Sequence, residues 1–400
     1  MRVQRESLVL IAVLILHPLV FPQSAPAQAA KEEVIINPLM PVGPDPWVEY
    51  KDGYYYFMRT TVTDLTLWRT RSMADLKSAE KKVLWTPPGT GPYSHDIWAP
   101  EIHYLRGRWY IYFAGDEGTN QTHRIYVLEN ANADPFQGDW TMKGKITDAT
   151  DKWAIDASVF EDHGALYMIW SGWEGDENGT QSIYIARLSN PWTVESARTR
   201  ISTPEYPWEK VGDIDPKILP GNPPHIDVNE GPEVLIHSGK VFLTYSASAC
   251  WTDYYAIGML TAISGSDLLD AHSWTKSRTP VFQQSDAAHV YGTGHNGFFK
   301  TADGRDWLLY HANSEPGQGC GWHRAPRAQP ITWRADGSPD FGEPVAAGVP
   351  IPLNEPSPSH RRISHEGRKL RQHQCTTYTE GSNLKGQIRP GTTSVARFRP

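Results

Sequence analysis

Three acids stand just ahead of hairpin-forming sequence, in apolar or Gly/Pro surroundings. Asp45 lies in Gly43-Pro44-Asp45-Pro46-Trp47-Val48, Asp156 in Trp153-Ala154-Ile155-Asp156-Ala157-Ser158, and Glu230 in Asn229-Glu230-Gly231-Pro232-Glu233. An unpaired carboxylate is costly to bury, so its presence in such sequence needs a use. Convergent acids suit the hydrolysis of glycosidic bonds. One protonated carboxyl donates to the leaving oxygen while another, ionised, activates water. A third raises the donor's pKa by like-charge repulsion and holds it in place. Any one of these acids alone reads as a turn cap or a surface charge; three at matching repeat positions do not. His295, in Gly292-Thr293-Gly294-His295-Asn296-Gly297, takes the corresponding place in a later copy. Its Gly-rich setting fits close backbone approach, either as a satisfied core histidine or beside an ion.

The elements that must position these groups recur five times. A Gly-containing turn feeds an aromatic-rich strand at Asp52-Gly53 with Tyr54 to Met58, and at Arg106-Gly107 with Trp109 to Phe113. It returns at His163-Gly164 with Leu166 to Trp170, at Ser238-Gly239 with Val241 to Tyr245, and at Asp303-Gly304 with Trp307 to Tyr310. Each is a hairpin signal, and the copies lie about 50–75 residues apart. No long amphipathic helix is evident. The pattern predicts an all-β chain, a five-bladed β-propeller over residues 30–354; a two-sheet sandwich is the alternative. The innermost strand of each blade lines the axis, so acids placed there converge.

Composition sets further bounds. There are 16 Trp and 18 Tyr, residues that fill β-sheet cores and also stack on sugar rings. The net charge of −7 argues against a nucleic-acid partner. Arg2 and Arg5, the apolar run Leu8 to Val20 and the small residues Ala25 to Ala30 predict a secretory signal over 1–29 and a secreted, extracellular protein. No later stretch spans a membrane. Residues 355–400 carry nine Lys and Arg against three Asp and Glu and read as a basic, disordered tail. The three cysteines allow a Cys250–Cys320 bridge without specifying it, and no zinc-ligand spacing appears. A monomer is expected.

These residues resemble glycoside hydrolase family 43, over about Asn37 to Leu353. The marks are Pro44-Asp45-Pro46, His95-Asp96-Ile97-Trp98-Ala99-Pro100-Glu101-Ile102-His103, Trp153-Ala154-Ile155-Asp156, Glu230-Gly231-Pro232 and Gly294-His295-Asn296. The resemblance implies a five-bladed propeller and an inverting mechanism. It puts the general base on Asp45, the orienting, pKa-modulating acid on Asp156 and the general acid on Glu230. The axial histidine, with calcium or another ion nearby, falls on His295; no cofactor is required for the chemistry. Glu233 is a rival to Glu230 but lacks its Gly-Pro sequel; Asp213 and Asp215 are rivals in a Pro-rich loop. Inversion implies working carboxyls roughly 6.5–9.5 Å apart.

Within the family, Trp98 to His103, His123 to Leu128, Trp170 to Trp173 and Arg327 to Trp333 look like exo-acting α-L-arabinofuranosidases. That likeness implies cleavage of α-1,5-linked arabinan or arabino-oligosaccharides, with plant cell-wall polysaccharide as partner. Trp98, Trp173 and Trp251 are candidate sugar-stacking residues, or else core. Arg327 is a candidate for a substrate hydroxyl or carboxylate, or else a structural ion pair. A β-xylosidase or endo-arabinanase on the same scaffold is the second reading. A sugar-binding propeller without catalysis is the third, and it has no need of Asp45, Asp156 and Glu230.

Overall fold

Four of the five turns are two-residue hairpin turns with both residues at positive φ. The pairs are Asp52-Gly53 (52° and 80°), Arg106-Gly107 (48° and 85°), His163-Gly164 (48° and 80°) and Ser238-Gly239 (49° and 74°). This is the type I′ geometry, whose twist matches that of the flanking strands. The fifth turn departs from the pattern. There Thr301 N–H donates to Arg305 C=O at 3.0 Å and Gly304 N–H to Thr301 C=O at 2.8 Å, so a longer loop joins the strands.

The computed structural model describes residues 33–215, 217 and 222–353. The expected signal segment 1–29 and basic tail 355–400 lie outside the described residues. The hairpins are the inner pairs of five antiparallel blades. Blade I is built from Trp47–Lys51, Tyr54–Met58, Leu65–Thr70 and Glu80–Trp85. Blade II follows with His95–Leu105, Arg108–Asp116, Arg124–Asn130 and Thr141–Ile146. Blade III has Ala154–Asp162, Ala165–Gly172 and Thr180–Asn190, edged by Thr193–Val194 and Thr199–Ser202. Blade IV has Asp227–His237, Lys240–Ala247, Ala256–Ile263 and Thr275–Lys276; blade V has Tyr291–Lys300, Asp306–Asn313 and Ala325–Pro330. Helix among the described residues is limited to 3₁₀ turns of three to six residues, and none is long and apolar enough to cross a membrane.

Two observations close the ring. The first strands of the blades touch in a cycle, I to II, III, IV, V and back to I. The core divides in the same way, into a cluster for each of the five junctions. Met58 and Leu67 meet Ile111 and Phe113 between I and II; Tyr112 and Val127 meet Val159 and Met168 between II and III. Ile169 and Ile185 meet Leu243 and Leu260 between III and IV; Phe242 and Ile257 meet Leu308 and Tyr310 between IV and V. Trp307 and Leu309 meet Val48 and Phe57 between V and I. Central strands are therefore apolar on both faces. In Arg108–Asp116, Trp109, Ile111 and Phe113 enter one junction while Tyr110 and Tyr112 enter the next, as the two-residue period of a strand requires. Each such side chain contributes about 1.5–3 kcal/mol by burial.

The last junction joins the two ends of the propeller. Val34–Ile36 pairs with Pro350–Pro352, and the chain after it runs along blade V, with Leu39 N–H donating to Pro326 C=O and Gly43 N–H to Arg324 C=O. Between them Asn37, 1% exposed, uses its side-chain amide as a strand would. Its Nδ2 donates to Ala328 C=O and its Oδ1 accepts the Ala328 N–H, both at 2.9 Å. Asn37→Ala leaves two buried backbone groups unpaired. A loss of about 2–4 kcal/mol is expected, read as a lower midpoint in urea unfolding; an unchanged midpoint would mean that water replaces the amide.

Candidate active site

At the axial end of every blade one residue takes a left-handed conformation: Asp45 (φ 54°), Ala99 (42°), Asp156 (56°), Gly231 (53°) and His295 (45°). In blades II to V it falls where the first strand slips register against the second, between Trp98 and Glu101, Ile155 and Ser158, Glu230 and Glu233, and Gly294 and Gly297. A bulge of this kind re-aims a side chain out of the pleat. For the four non-glycine residues it costs about 1–2 kcal/mol each, strain that collects around one cavity of about 510 Å³ at the axis. Asp45, Asp156, Glu230 and His295 all line it.

The repeat match among the acids needs one correction. Asp45 and Asp156 occupy equivalent places, but in blade IV that place belongs to Gly231. A Cβ there would come within 3.2 Å of the His295 ring, so the acid is carried one residue earlier, by Glu230. The N–H of Gly231 donates to Asp156 Oδ2 at 3.1 Å, which ties the Glu230 turn to blade III.

Asp45 is surrounded by donors. Arg324 Nη1 donates to Oδ1 at 2.9 Å and Thr60 Oγ1 to Oδ2 at 2.6 Å. Thr60 in turn accepts the Ala99 N–H at 2.7 Å, so the left-handed residue of blade II braces the carboxylate of blade I. Burial alone would raise the Asp45 pKa; Arg324, His295, His311 and Thr60 outweigh it and hold the carboxyl well below the ordinary range. The imidazoles themselves are pushed down by burial, His311 strongly. Since His311 Nδ1 accepts the Asp45 N–H at 3.0 Å, its proton resides on Nε2, and Arg324 is the standing cation beside Asp45.

Glu230 is displaced the other way. Burial lifts its pKa to about 7, against the Tyr255 hydroxyl, which donates to Oε1 at 2.9 Å, and with help from the charge of Asp45. Asp156 is also raised, by burial first and then by Glu230 and Asp45. One cavity thus holds a carboxylate that stays ionised and a carboxyl that keeps its proton to near neutrality, the separation that acid–base pairs require.

Beneath these groups lies a second buried layer. His103 Nε2 is 2.8 Å from Glu101 Oε2, and Ser158 Oγ donates to Glu233 Oε2 at 3.2 Å. Burial and Glu101 raise the pKa of Glu233 well above its usual value. Glu233 faces this layer and does not line the cavity. Of the other rivals, Asp213 pairs with His225 at 2.6 Å with its side chain exposed, and Asp215 accepts the Lys217 N–H.

Two expected contacts are corrected. Trp173 is 1% exposed and lies behind Trp153, their rings stacked at 4.6 Å and 9°. Trp153 lines the cavity in its place. Arg327 is fully buried, its Nη2 donating to Ser314 Oγ, because its position in the strand Ala325–Pro330 points into the blade. Arg324, just before that strand, reaches the cavity instead. Trp98, stacked on His123 at 4.1 Å, and Trp251 both line the cavity. Arg324, Thr60, Tyr255 and Trp322 escaped the sequence reading; only the Gly-rich run Gly319 to Gly321 hinted at a functional loop near Arg324 and Trp322.

His295 Nδ1 sits 3.4 Å from Asp45 Oδ1, with its N–H donating to Ser246 Oγ. Among the described residues no three His, Cys, Asp or Glu side chains gather to hold a metal ion. No step is routed through an ion at His295. Cys250 and Cys320 are joined by a disulfide.

Comparison with known proteins agrees with this architecture. An extracellular exo-α-(1→5)-L-arabinofuranosidase of Streptomyces avermitilis is 40% identical over 365 residues, 89% of this chain and 73% of that protein. An enzyme of the same name from Streptomyces chartreusis is 40% identical over 282 residues, 69% of this chain and 81% of that one. The crystal structure of an α-L-arabinofuranosidase from Lactobacillus brevis superposes with a TM-score of 0.72 at 38% identity, covering 79% of this chain and 98% of that one. The model for glycosyl hydrolases family 43 matches residues 35–339. Five inter-blade cores, a closed ring of inner strands and an axial cavity lined by carboxyl groups are thus the setting of a glycosidase, and the chain belongs to glycosyl hydrolases family 43.

Proposed function

We propose that this chain is an inverting exo-α-L-arabinofuranosidase that releases L-arabinofuranose from α-1,5-linked arabinan and its oligosaccharides. The observation that carries the reaction type is the gathering of Asp45, Asp156 and Glu230 around one cavity, with the Arg324 cation on Asp45 and only the neutral Tyr255 hydroxyl on Glu230. The names of relatives 40% identical to this chain support the sugar. In the proposed reaction the Glu230 carboxyl donates its proton to the glycosidic oxygen as the bond to the anomeric carbon breaks. Asp45 takes a proton from the water that attacks the opposite face of that carbon. Asp156, fixed by the Gly231 N–H, holds the turn that carries the acid. Trp98 and Trp251 are proposed as sugar-stacking faces, and His295 as the axial group beside Asp45. The reaction needs no cofactor.

We also propose that the chain is exported and meets its substrate in the plant cell wall. The charged and apolar pattern of residues 1–29, a disulfide and the extracellular designation of both Streptomyces relatives support this.

The test is to follow hydrolysis of α-1,5-arabinotriose by NMR beside aryl α-L-arabinofuranoside and aryl β-D-xyloside. β-Arabinofuranose as the first product, with arabinosides preferred, is expected. An α first product refutes inversion, and preference for the xyloside refutes the sugar. The pH profile gives an independent check. Activity needs Asp45 ionised and Glu230 protonated, so kcat/KM falls on the alkaline side near the Glu230 pKa of about 7. Arg324 lowers both pKa values. Arg324→Gln leaves burial less opposed and is expected to move both limbs to higher pH; an unmoved acid limb would remove Asp45 as the base.

A further inference from the structure

The loops that follow the second strands of blades IV and V carry an arrangement of which the proposed function uses only Trp251. Trp322 is 53% exposed although it lines the cavity, and its indole stacks on no other described ring. An indole half in water forgoes much of the stabilisation that burying it would bring. Trp251, half-buried on the other loop, also lines the cavity, its Nε1 donating to Asp213 C=O at 2.9 Å. The two loops are fastened together between these rings. Cys250 and Cys320, one and two residues from the tryptophans, form the disulfide, with Cα atoms 5.1 Å apart. Both cysteines line the cavity. The Asp253 carboxylate accepts the Gly317 N–H at 2.8 and 2.9 Å, and Gly319 (φ 61°) lies against the Trp251 backbone.

We infer that Trp322 and Trp251 together grip the sugar on the leaving side of the scissile bond, with the Cys250–Cys320 disulfide holding the two loops that carry them. The inference rests on the arabinofuranosidase reading and deepens it. The leaving sugar must lie beside the acid that protonates its oxygen. Glu230 belongs to blade IV, and Tyr255, which holds Glu230, closes the loop that carries Trp251. The same sector carries Arg324, which holds Asp45, so the departing ring belongs at its outer part, where Trp322 is 53% exposed and still lines the cavity. The C–H face of a sugar carries partial positive charge and stacks on the electron-rich face of an indole. Loops cross-linked beforehand lose less freedom when a ring settles between them.

The experiment compares kcat/KM on α-1,5-arabinobiose with kcat/KM on methyl α-L-arabinofuranoside, whose leaving group has no ring to stack. Aryl glycosides are avoided because the aryl group would itself stack on Trp322. In Trp322→Ala the ratio of the two values is expected to fall about tenfold, equivalent to ~1.4 kcal/mol, with Trp322→Phe restoring most of it. Cys250→Ser/Cys320→Ser is expected to lower the ratio too, and thiol reduction of the wild-type protein reproduces this if the double variant fails to fold. A ratio within about twofold of wild type in Trp322→Ala overturns the inference. So does a Phe variant as impaired as the Ala variant, which would mean that a shape specific to indole matters to the loop and not a stacking face. Failure of the wild-type protein to cleave either arabinoside would instead overturn the arabinofuranosidase reading on which this one stands.

Discussion

Glu230→Ala is expected to lower kcat on arabino-oligosaccharides by about 10²–10⁴-fold, the usual contribution of a positioned acid or base. The departing sugar would leave as an alkoxide, a poor leaving group that needs a proton as the bond breaks. In the wild-type protein Glu230 holds that proton up to about neutral pH because burial resists its ionisation. The variant removes a buried carboxyl together with its one hydrogen bond, from Tyr255, so circular dichroism should show an unchanged fold. The diagnostic is leaving-group dependence. A dinitrophenyl arabinofuranoside departs as a stable phenolate and should recover much of the lost rate. Near-normal turnover of arabinan by this variant would remove Glu230 as the acid.

Asp45→Asn should cost about as much, roughly 10²–10⁴-fold, but with a different signature. The amide keeps the shape and can still accept from Thr60, yet it cannot take a proton from water. Its loss should be the same for sugar and dinitrophenyl leaving groups, because attack by water is impaired whatever departs. Arg324, which donates to Asp45 at 2.9 Å, would also lose the charge it faces, and Arg324→Gln measured alone gives the part of the loss that runs through it. Recovery of Asp45→Asn with the activated leaving group would point to an acid at this position and reverse the assignment of the pair.

The parts legible in sequence were those governed by neighbouring residues. Four turns of an X-Gly pair announced their hairpins because left-handed φ at two successive residues is cheap only for such pairs. The five aromatic-rich strands announced the blade number, and the core divides into five junctions to match. The unusual settings of Asp45, Asp156 and Glu230 singled them out, and the structure gathers all three around the cavity. Less legible were contacts decided by a shift of one or a few residues. Gly231, not Glu230, holds the left-handed position of blade IV. Trp153 meets the cavity and hides Trp173 behind it. Arg324 reaches Asp45 while Arg327, three residues on, is enclosed in the blade. Strand periodicity alternates faces, but bulges break the count at the points where the site is built, so no count along the chain could predict these outcomes.

By itself, the sequence determined the hairpins, the number of repeats and the identity of the acids, because turn chemistry and alternation act over a few residues. Tertiary structure decided what each acid is able to do. Asp45 and Glu230 are both buried carboxyls, and burial pushes both upward. Asp45 ends low because Arg324, 279 positions away, and Thr60, 15 positions away, donate to it. Glu230 ends high because its hydrogen-bonding partner is the neutral Tyr255 hydroxyl and not a cation. A charge state depends on neighbours in space, and closing five blades into a ring is what supplies them.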